Sequence, residues 1–131
     1  MKSFVWLPVV LVAAMLFAAP PAALGAQVQT YSKSAFQQAQ ATGQPIIVFV
    51  TASWCPNCRK QQPVVDTMAK DPAFNDAVVF VIDFDSDKQA LKDFNVLMQS
   101  TLIAFKGTTE RGRSTAVTDP QALRALFQKA L

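Results

Sequence analysis

Cys55 and Cys58 are the only cysteines in the chain, and they stand two residues apart in Trp54-Cys55-Pro56-Asn57-Cys58. Two thiols at that spacing can close a small disulfide when the second lies one turn into a helix, so the pair can cycle between dithiol and disulfide while the domain stays folded. The chemistry to expect is thiol–disulfide exchange. It needs a strand leading in and a helix leading out. Ile46-Ile47-Val48-Phe49-Val50, set between Gly43 and Pro45 on one side and Ala52-Ser53 on the other, suits a central strand buried on both faces. From Cys58 to about Lys70, Val64, Val65, Met68 and Ala69 recur at helical spacing behind polar Arg59, Lys60, Gln61 and Gln62. The cysteines then sit at a helix N-terminus. Unpaired N–H groups and the positive end of the helix dipole stabilise a thiolate there, bringing its pKa from about 8.5 into a range of roughly 3.5 to 7.5. Cys55 is the expected nucleophile and Cys58 the resolving thiol.

Residues 1–26 carry one basic residue, Lys2, then an apolar stretch from Phe4 to Ala19, then Pro20-Pro21-Ala22-Ala23-Leu24-Gly25-Ala26, with no further charge before Lys33. That is the form of a secretory signal peptide. An uncleaved membrane anchor is the rival, since the uncharged segment is long enough to span; Pro8 and the small residues near Ala26 favour cleavage. Either way the remainder, 27–131, is predicted to be exported, to the periplasm or beyond. In such an oxidising space cysteines rest as disulfides unless something reduces them. The exported part is one domain's worth of chain. Without Lys2 it holds eleven Lys and Arg against nine Asp and Glu, a balance too small to argue for nucleic acid or a membrane surface.

Elsewhere the pattern predicts alternating elements. Ser32 or Ser34 can cap a short first helix carrying Phe36 and Ala39 and ending near Gly43. Val78-Val79-Phe80-Val81-Ile82 reads as a second buried strand, followed by Asp83, Asp85 and Asp87 and a helix through Ala90, Leu91 and Phe94. The alternating aspartates invite calcium, but the glycine and late glutamate of a calcium loop are missing, and acids are favourable at a helix start. A strand from Thr101 to Phe105, a turn at Lys106-Gly107 and an edge strand from about Arg111 to Val117 come next. Thr118-Asp119-Pro120-Gln121 then opens a last helix with Leu123, Leu126, Phe127 and Ala130 as its buried stripe. The predicted order is an initial helix, then β-α-β-α-β-β-α.

In this order the motifs resemble the thioredoxin superfamily over nearly all the chain after residue 27. The likeness rests on Trp54-Cys55-Pro56-Asn57-Cys58, on Pro63 five residues after the second cysteine, and on Phe94-Asn95-Val96 followed by Thr101-Leu102-Ile103-Ala104-Phe105-Lys106-Gly107. It implies an α/β thioredoxin-like fold, a mixed central sheet with helices on both faces. It implies a monomeric protein-disulfide oxidoreductase that needs no cofactor besides its redox-active disulfide and acts on client proteins with disulfides or thiols. Trp54 would shield the disulfide and offer clients a flat apolar contact, with Ala52, Pro56 and Met98 completing the patch. Client backbone would pair beside Ser100 and Thr101. Leu91-Lys92-Asp93-Phe94-Asn95-Val96-Leu97, together with Asp71-Pro72, is similar to the periplasmic domain of the membrane reductases that carry electrons outward. That similarity implies a reductase role, with a membrane thiol carrier as electron donor.

Two departures stand out against the superfamily. Its members usually carry a cis-proline before the threonine matching Thr101, and Ser100 stands there. A non-proline cis bond costs about 2.5–4 kcal/mol, so a trans bond and a reshaped loop are expected. The buried aspartate and lysine that help move protons from the resolving thiol in thioredoxin match Phe49 and Val81, and the chain has no histidine. Thiolate stabilisation then falls to the helix terminus, the Pro56-Asn57 peptide and Arg59 or Lys60, with water carrying protons. The rival class is a soft-metal carrier holding copper(I) between Cys55 and Cys58, a linear two-thiolate site; zinc would need two further ligands. A purely structural disulfide is disfavoured, because so short a loop removes only roughly 2 kcal/mol of chain entropy.

Overall fold

A computed structural model describes residues 25–131. The elements, numbered in chain order, are β1 (Gln27–Thr30), α1 (Lys33–Ala41), β2 (Pro45–Thr51), α2 (Pro56–Lys70), a 3-10 turn (Pro72–Phe74), β3 (Val78–Asp83), α3 (Lys88–Asp93), β4 (Thr101–Lys106), β5 (Thr109–Thr115) and α4 (Pro120–Gln128). They form one mixed sheet of order β1-β3-β2-β4-β5. β2 runs parallel to β3 and antiparallel to β4, β1 is parallel to β3, and β4 is antiparallel to β5.

Strand alternation divides the core into two layers. Ile46, Val48, Val50, Val78, Phe80, Ile82, Ile103 and Phe105 face α1 and α3, where Phe36 and Phe94 fill the gap with edge-to-face rings. Ile47, Phe49, Val79, Leu102 and Ala104 face α2 and α4, against Val65, Met68, Leu123, Leu126 and Phe127. The predicted α/β architecture, with helices on both faces, is the one observed. β2 lies in the centre and ends at Thr51, four residues before Cys55, so the central strand delivers the motif just beyond its own C-terminal end.

Several boundaries differ from expectation. A first strand, β1, was not predicted: Gln27-Val28-Gln29-Thr30 is short, polar and exposed, and its place comes from main-chain pairing with β3. α2 begins at Pro56, not at Cys58, because Cys55 takes the capping position and proline suits the first helical one. The edge strand lies at 109–115, two residues earlier than predicted, since Gly107 turns the chain tightly with a φ of +55°. α3 stops at Asp93, and Phe94 keeps its place in the core as the C-cap. Ser32, not Ser34, caps α1.

The predicted leader lies, up to residue 24, outside the described residues. Gly25 and Ala26 belong to the folded unit: Gly25 N–H donates to Asn75 Oδ1 at 2.6 Å and Ala26 N–H to Ala69 O at 2.7 Å.

Candidate active site

Cys55 caps α2. Its backbone is extended, and its Sγ accepts a hydrogen bond from Cys58 N–H at 3.1 Å. The two cysteines form a disulfide across a Cα–Cα distance of 5.2 Å, inside the range such bridges require. Pro56 at the first helical position gives up an N–H that has no helical partner there, so the helix start keeps its other donors for the sulfur. Both cysteines are almost fully buried, packed with Ala52 and Phe84. Burial disfavours a thiolate; the Cys58 N–H and the helix dipole oppose that penalty at Cys55 and leave Cys58 without equal help. Pro56 is exposed and Asn57 half-buried at the rim. Arg59 is exposed and donates to Ser53 O at 3.3 Å, which folds its charge over the turn entering the motif.

Trp54 is 52% exposed beside this pair, yet its ring is fixed. Its Nε1–H donates to Asp85 Oδ2 at 2.8 Å, and its ring stands in an edge-to-face arrangement with Phe84. Asp85 is itself placed by Asp83, whose Oδ1 accepts from Asp85 N–H at 2.8 Å and Ser86 N–H at 3.0 Å. Those donors, Ser86 first, hold the Asp83 carboxyl below its ordinary range. Asp87 caps α3 through Ala90 N–H. The three aspartates thus each have a separate task, and no group of three or more ligating side chains occurs among the described residues. A metal at Cys55 and Cys58 would find two sulfurs and no third such side chain there.

Below the disulfide, Phe49 and Val81 are direct cross-strand neighbours, Phe49 fully buried. No titrating side chain occupies either position.

The peptide bond before Ser100 is trans, as expected, and Ser100 adopts a left-handed φ of +64°. The backbone groups of Ser100 and Thr101 themselves are already engaged, so the expected docking of client backbone beside them has to use a neighbouring residue. Ser100 N–H donates to Val50 O at 2.8 Å, and its carbonyl accepts from Ala116 N–H at 2.9 Å. Thr101 is paired within the sheet to β2 and β5, and its Oγ1 donates to Met98 O. Both residues are buried. In the turn before Ser100, the backbone groups of Gln99, one position earlier and only half-buried, and those of exposed Leu97 have no hydrogen-bond partner among the described residues. Leu97 and Met98, leading into that turn, are 90% and 53% exposed.

Sequence reasoning also misplaced Gln61, assigned to the polar face of α2 but fully buried. Its spacing of three from Cys58 and four from Val65 is the signal that puts it on the inner face. Asp85 gave no signal beyond its place among three acids.

The Thioredoxin family model matches residues 27–129. A thioredoxin from Chlamydia trachomatis serovar D is 30% identical over 102 residues, covering 78% of this chain and 97% of that protein. The crystal structure of Trxlp from Edwardsiella tarda EIB202 superposes with a TM-score of 0.74 at 44% identity, over 76% of this chain and 98% of that one. Thioredoxin from Malassezia sympodialis, at 22% identity and a TM-score of 0.70, shares the fold. With a disulfide-bonded Cys-x-x-Cys pair at the start of α2, the chain belongs to the thioredoxin family and is a thiol–disulfide oxidoreductase whose redox group is the Cys55–Cys58 disulfide.

Proposed function

We propose that this domain is exported and works as a reductase of client-protein disulfides, refilled with electrons by a membrane thiol carrier. The observation that carries the reading is the pairing of a helix-capping Cys55 with an exposed apolar rim and the unpartnered main chain of Gln99. Export is supported by the leader-like pattern of residues 1–26, and direction by the likeness of the 91–97 stretch to outward-facing reductases.

In the reduced protein, the Cys55 thiolate attacks one sulfur of a client disulfide, forming a mixed disulfide and releasing the other client sulfur as a thiolate. Cys58 loses its proton to water and attacks Cys55 Sγ. The second client sulfur leaves, the Cys55–Cys58 disulfide closes, and two electrons have passed to the client. An extended client strand would lie against Gln99, its apolar side chains on Trp54, Leu97 and Met98. Such a contact is small and transient, as fits a monomer that serves many clients.

The test is the reduction potential of the purified exported form, with bound copper assayed in the same sample and client capture by Cys58→Ser. A potential near roughly −200 mV or below supports a reductase, whereas one near roughly −120 mV would make it an oxidant. Cys58→Ser should accumulate mixed disulfides through Cys55, and stoichiometric copper that blocks exchange would overturn the reading.

A further inference from the structure

Gln61 sits one helical turn after Cys58 on the inner face of α2 and is fully buried. Its Nε2 donates to two main-chain carbonyls, Val117 O at 2.7 Å and Ser100 O at 3.2 Å. Two acceptors on that side fix which way the amide points, and its Oε1 is left without a partner among the described residues. A buried amide with an unmet acceptor is less favourable than a leucine or methionine of similar volume, so packing alone does not account for glutamine here.

The carbonyls it holds belong to two unusual turns. Ser100 has a φ of +64° and Ala116 a φ of +61°, both left-handed without being glycine, and Ala116 N–H donates to Ser100 O. Non-glycine residues persist in that conformation only where neighbours fix them. Directly before Ser100 lies Gln99, whose main chain is free to pair.

We propose that Gln61 is a positioning residue: it ties the left-handed Ser100 turn to the active-site helix, so that Gln99 is presented to an extended client in register with the Cys55–Cys58 disulfide. Where a proline ring would stiffen this turn by itself, a hydrogen-bonded amide reaching out from the cysteine-bearing helix stiffens it here. The inference rests on the reading of the protein as a reductase of client disulfides.

Reduction of a disulfide-bonded peptide by protein pre-reduced with dithiothreitol and then freed of it, compared with its reduction of the small aromatic disulfide DTNB, tests it. The peptide concentration at half-maximal rate is read as KM and the maximal rate as kcat. DTNB has no backbone to pair with Gln99. Gln61→Met should raise the peptide KM by roughly three- to tenfold, the span of one hydrogen bond's net worth, with peptide kcat, DTNB rate and reduction potential unchanged. Gln61→Glu should give a peptide KM close to wild type at acid pH, where a protonated carboxyl donates to a carbonyl, and a rising KM as the carboxyl ionises against both oxygens. The wild-type KM should not follow that profile. Should Gln61→Met fail to fold, the Gln61→Glu profile carries the test.

An unchanged peptide KM in a folded Gln61→Met, or a flat Gln61→Glu profile, overturns the proposal. So does a parallel loss of DTNB reduction, which would place the effect on the cysteines themselves. A wild-type protein that reduces DTNB but no peptide would instead sink the client-reductase reading, and this inference with it.

Discussion

Trp54 is kept beside the Cys55–Cys58 disulfide by a relay of carboxylates. Asp83 orders the loop after β3, the ordered loop aims Asp85, and Asp85 takes the indole N–H. Backbone donors hold the Asp83 carboxyl below its ordinary value of 3.8, so its ionised form is favoured in the folded state. That contribution is present above the unfolded value and is lost as pH falls through the lower folded one. Asp83→Asn should therefore lower the melting temperature at neutral pH, and the gap to wild type should close as the solution is acidified below pH 3.8. A gap that stays constant across that range would deny the carboxylate this role. Asp85→Ala removes the indole's acceptor at an exposed position. Stability should change by no more than about 0.5 kcal/mol, while Trp54 fluorescence anisotropy falls because the ring gains freedom.

At the scale of elements, the turns at Ser100 and Ala116 set what the sheet can present. Proline at position 100 would lack the N–H that bonds Val50 O, and its ring cannot reach a φ of +64°. Ser100→Pro should cost on the order of 2–4 kcal/mol in denaturant unfolding, a backbone-incompatibility effect. Ala116→Gly should do the opposite, since glycine takes a left-handed φ without steric penalty; a gain of up to about 1 kcal/mol is expected. The same turns show what could be read in advance. The buried strands, the capped helices and the cysteine motif were legible because apolar periodicity and capping chemistry act locally. β1 was not, because four residues with a single apolar side chain, Val28, carry no pattern and are recruited by the free edge of β3. Nor was the inward turn of Gln61, a polar residue whose partners are carbonyls 39 and 56 residues away in the chain. On the proposed reading a client pairs at Gln99, beside Ser100, because serine where the superfamily carries proline brings an N–H that the sheet consumes.

The molecule as a whole guards its sheet edges and leaves apolar surface elsewhere. β1 is only four residues long, and β5 carries Glu110, Arg111 and Arg113 with a break in register opposite Ala104 and Phe105, devices that discourage edge pairing between copies. The large apolar side chains exposed among the described residues are Val28, Trp54, Leu97, Met98 and Leu131. Three of these five lie in the cysteine motif or in the run leading to Ser100. Leu97, at 90% exposure, buries almost nothing in the folded chain, so its removal has little to destabilise. Leu97→Ser should leave unfolding free energy within about 0.5 kcal/mol of wild type. A client laid along Gln99 would still lose an apolar contact worth about 1 kcal/mol, giving a several-fold rise in peptide KM with DTNB reduction untouched. If both substrates are reduced as before, Leu97 faces no client, and the docking surface must be sought on the Trp54 side of the disulfide instead.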